Sequence, residues 1–388
     1  MTTKATLIRL SGLGRDWTLD GPAGPLRVEG LRELRTDEAR LVRHLPACAG
    51  RVLIPLTDGS PLIPAVVARL NPGAAVEVSV LDLHDERLLR DKLVAFRRLR
   101  VVCAADAEAS AAAGQTGILL LRDRTDRLLA WDYIERLDQI LPAGSPVVVL
   151  APAQRVGDYT AKLKRHFRKL QVLHRDRAAV IWQGLAGGDP GAWTPRWCEF
   201  AATTPTEKVR LYSRPGVFAH RRPDSGGLAL AERVAVRPDQ KILELGCGCG
   251  LTGLLLAERL RQAGTPVTGA IVLVDSNARA VECARRGAEV NGGGLVRVLH
   301  NDLYRPEPAS FDVVLGNPPY YAGHRIAQYF IEVAARALKP GGRLWLVSKH
   351  GATIAELAAG YGFAVETSQR RGYDISACRK TGGGRPET

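Results

Sequence analysis

The residues best suited to chemistry form the sequence Asn317-Pro318-Pro319-Tyr320, which follows an apolar, strand-like run at residues 311–315. Each proline fixes its own φ angle and lacks a backbone N–H, and it disfavours helical backbone at the residue before it. We therefore expect a stiff corner that presents only hydrogen-bond acceptors, namely the Asn317 side-chain oxygen and the Pro318 carbonyl. Such a pair can hold an –NH2 group by both hydrogens and direct its nitrogen lone pair at an electrophile, while Tyr320 stacks on the planar group that carries the amine.

A glycine-rich loop lies upstream, at Glu244-Leu245-Gly246-Cys247-Gly248-Cys249-Gly250, between a strand-like and a helix-like segment. Glycines at such a junction allow a sharp turn and a close approach of the backbone to a ligand. Enzymes that bind NAD use the spacing G-x-G-x-x-G, whereas this loop has G-x-G-x-G directly after Glu244. A carboxylate there would repel a pyrophosphate, but it is compatible with a ligand that carries positive charge and no phosphate, such as S-adenosylmethionine.

Polar residues also follow the next two predicted strands. Asp275 lies about 25 residues after the loop, close to the spacing of about 20 expected of a residue that accepts hydrogen bonds from ribose hydroxyls. The alternative role for Asp275 is a cap of the following helix. Asn301 and Asp302 follow the third strand, where an amide or carboxylate can bind an adenine edge, although an ordinary turn would use the same residues.

Composition limits the class of protein. The chain has 388 residues, enough for two or three domains, and its 46% hydrophobic content allows large cores. Lys and Arg number 54 against 40 Asp and Glu, which gives a formal net charge of +14. This excess favours a polyanionic partner such as RNA, although a genome rich in G and C would also favour arginine.

The cysteines indicate neither a disulfide framework nor a metal site, because no C-x-x-C pair occurs and their spacing is irregular. They are Cys48, Cys103, Cys198, Cys247, Cys249, Cys283 and Cys378. The N-terminal residues carry charges throughout and do not resemble a signal peptide, and no apolar run approaches the ~18 residues of a membrane span. We therefore expect a cytoplasmic protein without a membrane segment or a metal ion. The sequence leaves the oligomeric state open, and a monomer is compatible with it.

Strand-like and helix-like segments alternate in the second half, which predicts a mostly parallel seven-stranded α/β sheet. The expected strands are residues 241–245, 270–274, 296–299, 311–315 and 343–347, with 363–366 and 374–379 as an antiparallel edge. Ser225 is expected to cap a helix through about Val234, and Lys339-Pro340-Gly341-Gly342 is expected to end the helix that precedes the strand at 343–347. The first half repeats this order weakly and has Pro142-Ala143-Gly144 where the second has Pro340-Gly341-Gly342. We therefore predict a tandem duplication, with a first domain at residues 1–184, a linker at 185–197 and a second domain at 198–388.

The second half resembles class I S-adenosylmethionine-dependent methyltransferases of the N-P-P-[FY] type. Its segment Arg214-Pro215-Gly216-Val217-Phe218, followed by Pro223-Asp224-Ser225-Gly226-Gly227-Leu228, is similar to the entry segment of the ribosomal RNA guanine-N2 methyltransferases, which have a "methyltransferase small" domain. The resemblance is strong over residues 209–349 and concerns the architecture elsewhere. It implies two tandem Rossmann-like methyltransferase domains, of which the N-terminal copy is degenerate and serves RNA recognition.

The resemblance also implies methylation of an exocyclic amine in RNA, above all guanine N2 of ribosomal RNA, naked or in a ribosomal subunit. It places in the cofactor pocket Glu244, Gly246, Gly248, Gly250, Asp275, Asp302 and Asn317, with Phe218 near the mouth. The family commonly has Asn-Pro-Pro-Phe-His, whereas Tyr320 and Tyr321, both expected to contact the substrate, stand in the last two places here. This departure does not affect the predicted methyl transfer, but it leaves the base and its position open.

A basic segment in the first half, Lys162-Leu163-Lys164-Arg165, predicts contacts with RNA phosphates by Lys162, Lys164 and Arg165. The alternative is a solvated helix face. Other acceptors for the same chemistry are adenine N6 in tRNA or DNA and glutamine N5 in a protein. A third hypothesis is an RNA-binding or assembly protein without activity, which the intact set of Glu244, glycines, Asp275 and Asn317 argues against.

Overall fold

The computed structural model describes residues 9–11, 17–20, 26–28, 36–48, 50–56, 58–108, 115–123, 125–187, 193–264, 270–319 and 323–381. The chain divides into two units, Met1–Arg196 and Trp197–Thr388. Within the predicted linker, residues 188–192 lie outside the described part. The second unit holds the chemical motifs and is described first.

The second unit begins with a two-stranded antiparallel ribbon and continues as an alternation of strands and helices. Its strands are β11 Cys198–Thr203, β12 Lys208–Ser213, β13 Ile242–Leu245, β14 Ile271–Asp275, β15 Val296–His300, β16 Phe311–Gly316, β17 Leu338–Ser348, β18 Phe363–Arg370 and β19 Tyr373–Lys380. Its helices are α6 Ser225–Arg233, α7 Leu251–Gln262, α8 Ala278–Val290, α9 Arg325–Ala337 and α10 Gly351–Gly360.

Seven of these strands form one sheet in the order β15-β14-β13-β16-β17-β19-β18. The first five run parallel, and β19 is antiparallel to both β17 and β18. The predicted mostly parallel seven-stranded sheet with an antiparallel edge is therefore confirmed. The carboxyl ends of β13 and β16 meet at one edge of the sheet, since Leu245 lies opposite Gly316 in the ladder. This register brings the glycine-rich loop and the Asn-Pro-Pro corner side by side.

Alternating side chains of the sheet enter two apolar layers, as the period of two along a strand requires. Leu243, Leu245 and Val314 pack with residues of α9 and α10 on one face. Ile242 and Leu315 pack with residues of α6, α7 and α8 on the other face. Because the central strands are covered on both faces, they read as nearly continuous apolar runs in the sequence.

The first unit opens with three short antiparallel strands and then has its own α/β sheet. Its strands are β1 Arg9–Ser11, β2 Trp17–Asp20, β3 Leu26–Val28, β4 Arg51–Pro55, β5 Ala75–Val80, β6 Leu99–Cys103, β7 Gln115–Leu120, β8 Pro146–Pro152, β9 Arg168–Arg175 and β10 Ala179–Leu185. Its helices are α1 Thr36–Val42, α2 Leu62–Leu70, α3 Leu83–Lys92, α4 Arg127–Ile140 and α5 Val156–His166.

The sheet of the first unit has the order β6-β5-β4-β7-β8-β10-β9, which matches that of the second unit strand for strand. Its first five strands are also parallel, and β10 is antiparallel to β8 and β9. Two tandem α/β domains of the predicted class are therefore confirmed. That the first copy is degenerate stays a prediction at this point.

Two local predictions were wrong. Ser225 does not cap α6, because the side chain of Asp224 accepts the hydrogen bond from the Gly227 N–H. The segment Lys339-Pro340-Gly341-Gly342 ends α9 as expected, but it belongs to β17 and does not precede it. The pairing of β17 with β16 shifts register there, between Phe311 and Val313, which accommodates the extra residues as an irregularity in the ladder.

No helix among the described residues is both long and apolar enough to cross a bilayer. All seven cysteines are free thiols, and Cys247, Cys249, Cys283 and Cys378 are buried.

Gly253, in the first turn of α7, allows this helix to approach the central strands. A Cβ atom built there would lie 2.3 Å from Leu273 Cδ2 and 2.6 Å from Glu244 Oε2. We expect Gly253→Ala to destabilise the protein by about 1–3 kcal/mol through overpacking. The matched control is Gly360→Ala in α10, where the new methyl group would meet nothing within 4 Å. Alanine should be neutral or stabilising there, by up to about 1 kcal/mol. Denaturant unfolding of both variants measures the difference, and equal stability would contradict the close approach.

Candidate active site

The glycine-rich loop joins the end of β13 to the start of α7 with backbone conformations that favour glycine. The φ angles of Gly246, Gly248 and Gly250 are +66°, +56° and +83°, which L-residues with side chains rarely adopt. A Cβ atom at Gly248 would have no atom within 4 Å, so the loop borders open space. Gly246 is exposed and Gly248 is half-buried, so a ligand can approach the backbone at these two positions, whereas Gly250 is buried at the start of α7.

Glu244 lies beneath this loop and is 5% exposed. Its Oε2 accepts a hydrogen bond of 2.7 Å from the Gly253 N–H in the first turn of α7. Burial, with a smaller contribution from the nearby Asp275 carboxylate, raises the pKa of the Glu244 carboxyl to about 8. In the protein without ligand, Glu244 is therefore mostly protonated at pH 7, and a nearby cation would favour its ionised form.

Asp275, the last residue of β14, connects the loop to the neighbouring helix. Its Oδ2 accepts the Gly248 N–H at 2.7 Å, and its Oδ1 accepts the Asn277 N–H at 2.8 Å. The side chain of Asn277 caps α8 by accepting from Arg279 and Ala280. Asp275 is therefore not the cap itself, and its carboxylate holds the glycine loop in place. Its contact with ribose hydroxyls stays a prediction. Both carboxylate oxygens have further lone pairs that could accept hydrogen bonds from these hydroxyls.

Asn301 and Asp302 follow β15, next in the sheet to β14. Asn301 donates its backbone N–H to the Asp275 carbonyl at 3.0 Å, and its side chain accepts the Leu303 N–H at 2.8 Å. This is the turn geometry that the sequence left as the alternative. Both side chains are half-buried at the same edge as Asp275, and their contact with an adenine stays a prediction.

The Asn-Pro-Pro corner begins directly after β16, beside the glycine loop. Asn317 is half-buried, Pro318 is buried and Pro319 is half-buried. Tyr320 and Tyr321 lie outside the described residues, so their predicted contacts with the substrate stay predictions.

The sequence did not predict the partner that fixes the Asn317 side chain. Asn317 Nδ2 donates to Asp224 Oδ2 at 2.8 Å, and the same oxygen accepts the Gly227 N–H at 2.7 Å. One carboxylate oxygen thus caps α6 and holds the amide of Asn317. The oxygen and nitrogen of an amide are assigned from their hydrogen-bond partners, and a carboxylate accepts only from the nitrogen. This bond directs the Asn317 oxygen away from Asp224.

Gly226 allows this contact because it leaves room between α6 and the corner. A Cβ atom there would lie 3.1 Å from Asp224 Oδ2 and 3.4 Å from both Asn317 Nδ2 and Tyr373 Cε1. The other side of this space is lined by Tyr373, whose ring centroid lies 3.9 Å from the Lys349 ammonium. A signal for Asp224 existed in the sequence, in the Asp224-Ser225-Gly226-Gly227 pattern, but its partner is 93 residues away.

Phe218 lies on the loop between β12 and α6 and is 69% exposed. The start of this loop is fixed to α8, since the buried Arg279 donates to the Pro215 carbonyl at 2.8 Å and Arg214 pairs with Glu282 at 2.7 Å. Asn277 Nδ2 donates to the Gly216 carbonyl at 3.4 Å, which brings the loop close to Asp275. An exposed aromatic ring on this loop is compatible with the predicted place near the mouth of the pocket.

The basic segment of the first unit lies on α5, and its members differ in exposure. Lys164 and Arg165 are exposed. The ammonium of Lys162 pairs with Glu135, and its side chain is only 15% exposed. The pairing neutralises this charge and argues against the predicted phosphate contact of Lys162, whereas the contacts of Lys164 and Arg165 stay predictions.

The cysteines of the loop are not suited to metal binding. Burial raises the pKa of the Cys249 thiol to about 12 and raises the pKa of the Cys247 thiol well above its usual value, so both are uncharged at neutral pH. Among the described residues, no group of three or more His, Cys, Asp or Glu side chains is placed to hold a metal ion.

Comparison with known proteins identifies the same part of the chain. The model of the methyltransferase small domain family matches residues 208–376. The ribosomal RNA small subunit methyltransferase C of Stutzerimonas stutzeri is 29% identical over 280 residues, which are 66% of this chain and 79% of that protein. The enzyme of the same name from Hahella chejuensis is 33% identical over 168 residues, 41% of this chain and 47% of its own length, so this alignment spans about half of that relative.

A solved structure shares the fold over nearly the entire chain. It is the T. thermophilus 16S rRNA N2 G1207 methyltransferase in complex with AdoMet and guanosine, with a TM-score of 0.72 and 24% identity over 96% of this chain and 98% of that one. The ribosomal RNA small subunit methyltransferase C of Chromohalobacter salexigens is 31% identical over 245 residues, 60% of this chain and 68% of the relative. Because this relative is 31% identical and the chain covers 68% of its length, the chain belongs to the ribosomal RNA small subunit methyltransferase C family.

Proposed function

We propose that this protein transfers a methyl group from S-adenosylmethionine to the exocyclic N2 amine of a guanine in ribosomal RNA. The observation that carries the proposal is the fixed amide of Asn317, which lies beside the glycine loop. Asp224 holds the amide nitrogen, so the amide oxygen points away from Asp224 and is available as an acceptor. The names of the family members support ribosomal RNA as the substrate. The name of the solved relative, a 16S rRNA N2 G1207 methyltransferase in complex with AdoMet and guanosine, supports guanine N2 over other amines.

The residues of the loop fit S-adenosylmethionine better than a dinucleotide. Gly248 borders open space, and the Asp275 carboxylate that accepts its N–H would repel a pyrophosphate. A ligand that carries a sulfonium and an ammonium is instead attracted by Asp275, and it favours the ionised form of Glu244. Glu244 and Asp275 would bind the amino-acid and ribose parts, and Asn301 and Asp302 the adenine. When bound, S-adenosylmethionine supplies an electrophilic methyl group.

The corner accounts for the activation of a weak nucleophile. The lone pair of a guanine N2 amine is conjugated with the ring, so the amine attacks only if its hydrogens are held out of the plane. The Asn317 oxygen and the Pro318 carbonyl accept those two hydrogens, and they stabilise the positive charge that develops on nitrogen. As the new N–C bond forms, the S–C bond breaks, and the proton leaves the product amine afterwards. Most of the rate therefore derives from positioning.

The first unit serves RNA binding in this proposal, because its equivalent site has lost the acidic groups. In the first unit the Ala104 N–H donates to the Val80 carbonyl, and in the second unit the Asn301 N–H donates to the Asp275 carbonyl. Val80 therefore occupies the position of Asp275. Because Pro55 pairs with Ser79 as Leu245 pairs with Val274, Ile54 stands in the place of Glu244.

The first unit also differs from the second at the residues that follow its fourth parallel strand, β7. Arg122, which follows β7, is 5% exposed and pairs with Glu38 and with Asp58, the latter at 3.0 Å. These features support a degenerate first copy. A ribosomal RNA substrate also favours a cytoplasmic location.

Asn317→Ala should abolish the formation of N2-methylguanosine in ribosomal RNA, because the amine loses one of its two acceptors. Affinity for S-adenosylmethionine should stay within a few-fold, since the glycine loop is intact. Mass spectrometry of nucleosides from RNA incubated with the enzyme measures the product, and calorimetry measures cofactor binding. Unimpaired turnover would contradict the role of the corner, and methylated protein with no methylated RNA would contradict the substrate.

Asp224→Ala should lower kcat by roughly 10- to 100-fold because the Asn317 amide loses its orientation. Loss of the cap should also reduce stability by about 1 kcal/mol. Asp224→Asn should restore most of kcat, since its amide oxygen can accept both hydrogen bonds. The matched control is Ser225→Ala, at the exposed next residue, which should change neither quantity. If Asp224→Ala lowers the stability but leaves kcat unchanged, Asp224 is a helix cap alone.

Binding of S-adenosylmethionine should strengthen with pH between about 6 and 7.5, by at most about ten-fold per pH unit. The reason is that burial sets the pKa of Glu244 at about 8, so this carboxyl must lose a proton to become the anion that a cationic ligand favours. Glu244→Gln should bind more weakly and with less dependence on pH. Calorimetry in buffers of different ionisation enthalpy measures the released proton, and an equal proton release by the variant would rule out this linkage.

A further inference from the structure

The first unit carries a basic surface at the sheet edge opposite to β9, where α3 leads through residues 93–98 into the edge strand β6. Its exposed cationic side chains are Arg90, Lys92, Arg97, Arg98 and Arg100. A pocket of about 340 Å³ is lined by Arg90, Arg97 and Arg100 and by the apolar residues Leu93, Val94, Phe96 and Leu99. We refer to this pocket and its arginines Arg90, Arg97 and Arg100 as the α3–β6 pocket.

The apolar part of the pocket is unusually accessible. Val94 is 81% exposed, and Phe96 is half-buried with its other side packed against the core of the unit. An exposed valine beside a partly exposed aromatic ring has no role in the core of the first unit. Apolar surface within a basic rim is the combination that binds single-stranded nucleic acid, because bases stack on the former and phosphates pair with the latter.

The arginines differ in how they are held. Arg90 pairs with Glu86 at 2.8 Å and donates to the Val101 carbonyl, so it is fixed against the strand. Arg100 lies 3.7 Å from Glu77, and its side chain is 67% exposed. No carboxylate among the described residues lies within ion-pair distance of Arg97. At least Arg97 and Arg100 can therefore reach a phosphate without the loss of a buried ion pair.

The second unit provides an internal comparison, because it has the same fold and the same connection. Between α8 and β15 it has Asn291-Gly292-Gly293-Gly294-Leu295, where the first unit has Leu93-Val94-Ala95-Phe96-Arg97-Arg98. The connection of the catalytic copy thus has neither an aromatic residue nor a cation. The fold does not require the basic and apolar side chains at this place, so they are particular to the first unit.

We propose that the α3–β6 pocket binds a nucleotide of single-stranded RNA, with the base against Val94 and Phe96 and the flanking phosphates against Arg97 and Arg100. This inference rests on the proposed function, because the bound RNA is the ribosomal RNA that the enzyme methylates. It assigns the contact to a surface distinct from the basic segment of α5. Single-stranded RNA is favoured over a duplex because only an unpaired base can enter the pocket, and over an acidic peptide because four of the lining residues are apolar side chains on which a base can stack.

The test is the double variant Val94→Asp/Arg97→Glu of the full-length protein, which replaces exposed side chains and leaves the core intact. The matched control is Ala235→Asp/Arg237→Glu, two exposed positions of the second unit that undergo the same change in charge near the amino end of β13. The probes are a fluorescent single-stranded RNA of about 10 nucleotides, a duplex of equal length and polyglutamate. Their binding is measured at several salt concentrations, and methylation of ribosomal RNA is measured in parallel.

The pocket variant should bind single-stranded RNA on the order of ten-fold more weakly than the control, with a salt slope lower by about 0.7 per lost phosphate contact. Its affinity for S-adenosylmethionine and its melting temperature should match those of the control. Ultraviolet cross-linking of 4-thiouridine in the same RNA should label residues 93–101 of the wild type.

The proposal is overturned if both variants bind RNA equally, or if polyglutamate or the duplex binds the wild type as tightly as the single strand. The proposed function fails separately, if the wild type binds RNA at this pocket but produces no methylated guanosine.

Discussion

The site depends on one carboxylate oxygen that accepts two hydrogen bonds. Asp224 Oδ2 receives the Gly227 N–H, which begins α6, and the Asn317 amide nitrogen, which follows β16. A helix on one face of the sheet and the end of its central strand are thereby held in one geometry. The bond also decides which atom of Asn317 is available as an acceptor. Without it, the amide could rotate and present hydrogens to an amine that itself needs acceptors.

On the cofactor side of the site, two acidic side chains likewise fix two backbone segments. Asp275 fixes the glycine loop through Gly248, and Glu244 fixes the first turn of α7 through Gly253. Two acidic groups are thus placed under a bare backbone surface, and burial keeps one of them protonated until a cation arrives. Positive charge on the ligand is therefore recognised by residues that also hold the loop, so binding and local structure are coupled.

The two copies of the fold show how the same frame serves two tasks. Both main sheets have seven strands in the same order, but the first has Ile54 and Val80 where the second has Glu244 and Asp275. It has instead a basic and apolar surface at α3 and β6, where the catalytic copy has three glycines. A parallel sheet covered on both faces tolerates such exchanges, because its stability derives from the two apolar layers and not from the loops.

The sequence alone determined the α/β class, the duplication and most strand positions, because the apolar runs and the turn residues between them are local signals. It also predicted Asn317, the glycine loop and Asp275, since each follows directly after a strand and parallel strands end at one edge. It did not identify Asp224 as the partner of Asn317 or the pairing of Lys162 with Glu135, and it assigned the helix cap to Ser225. These contacts join residues far apart in the chain or choose between adjacent candidates, and only the packing of helices against the sheet decides which polar groups meet.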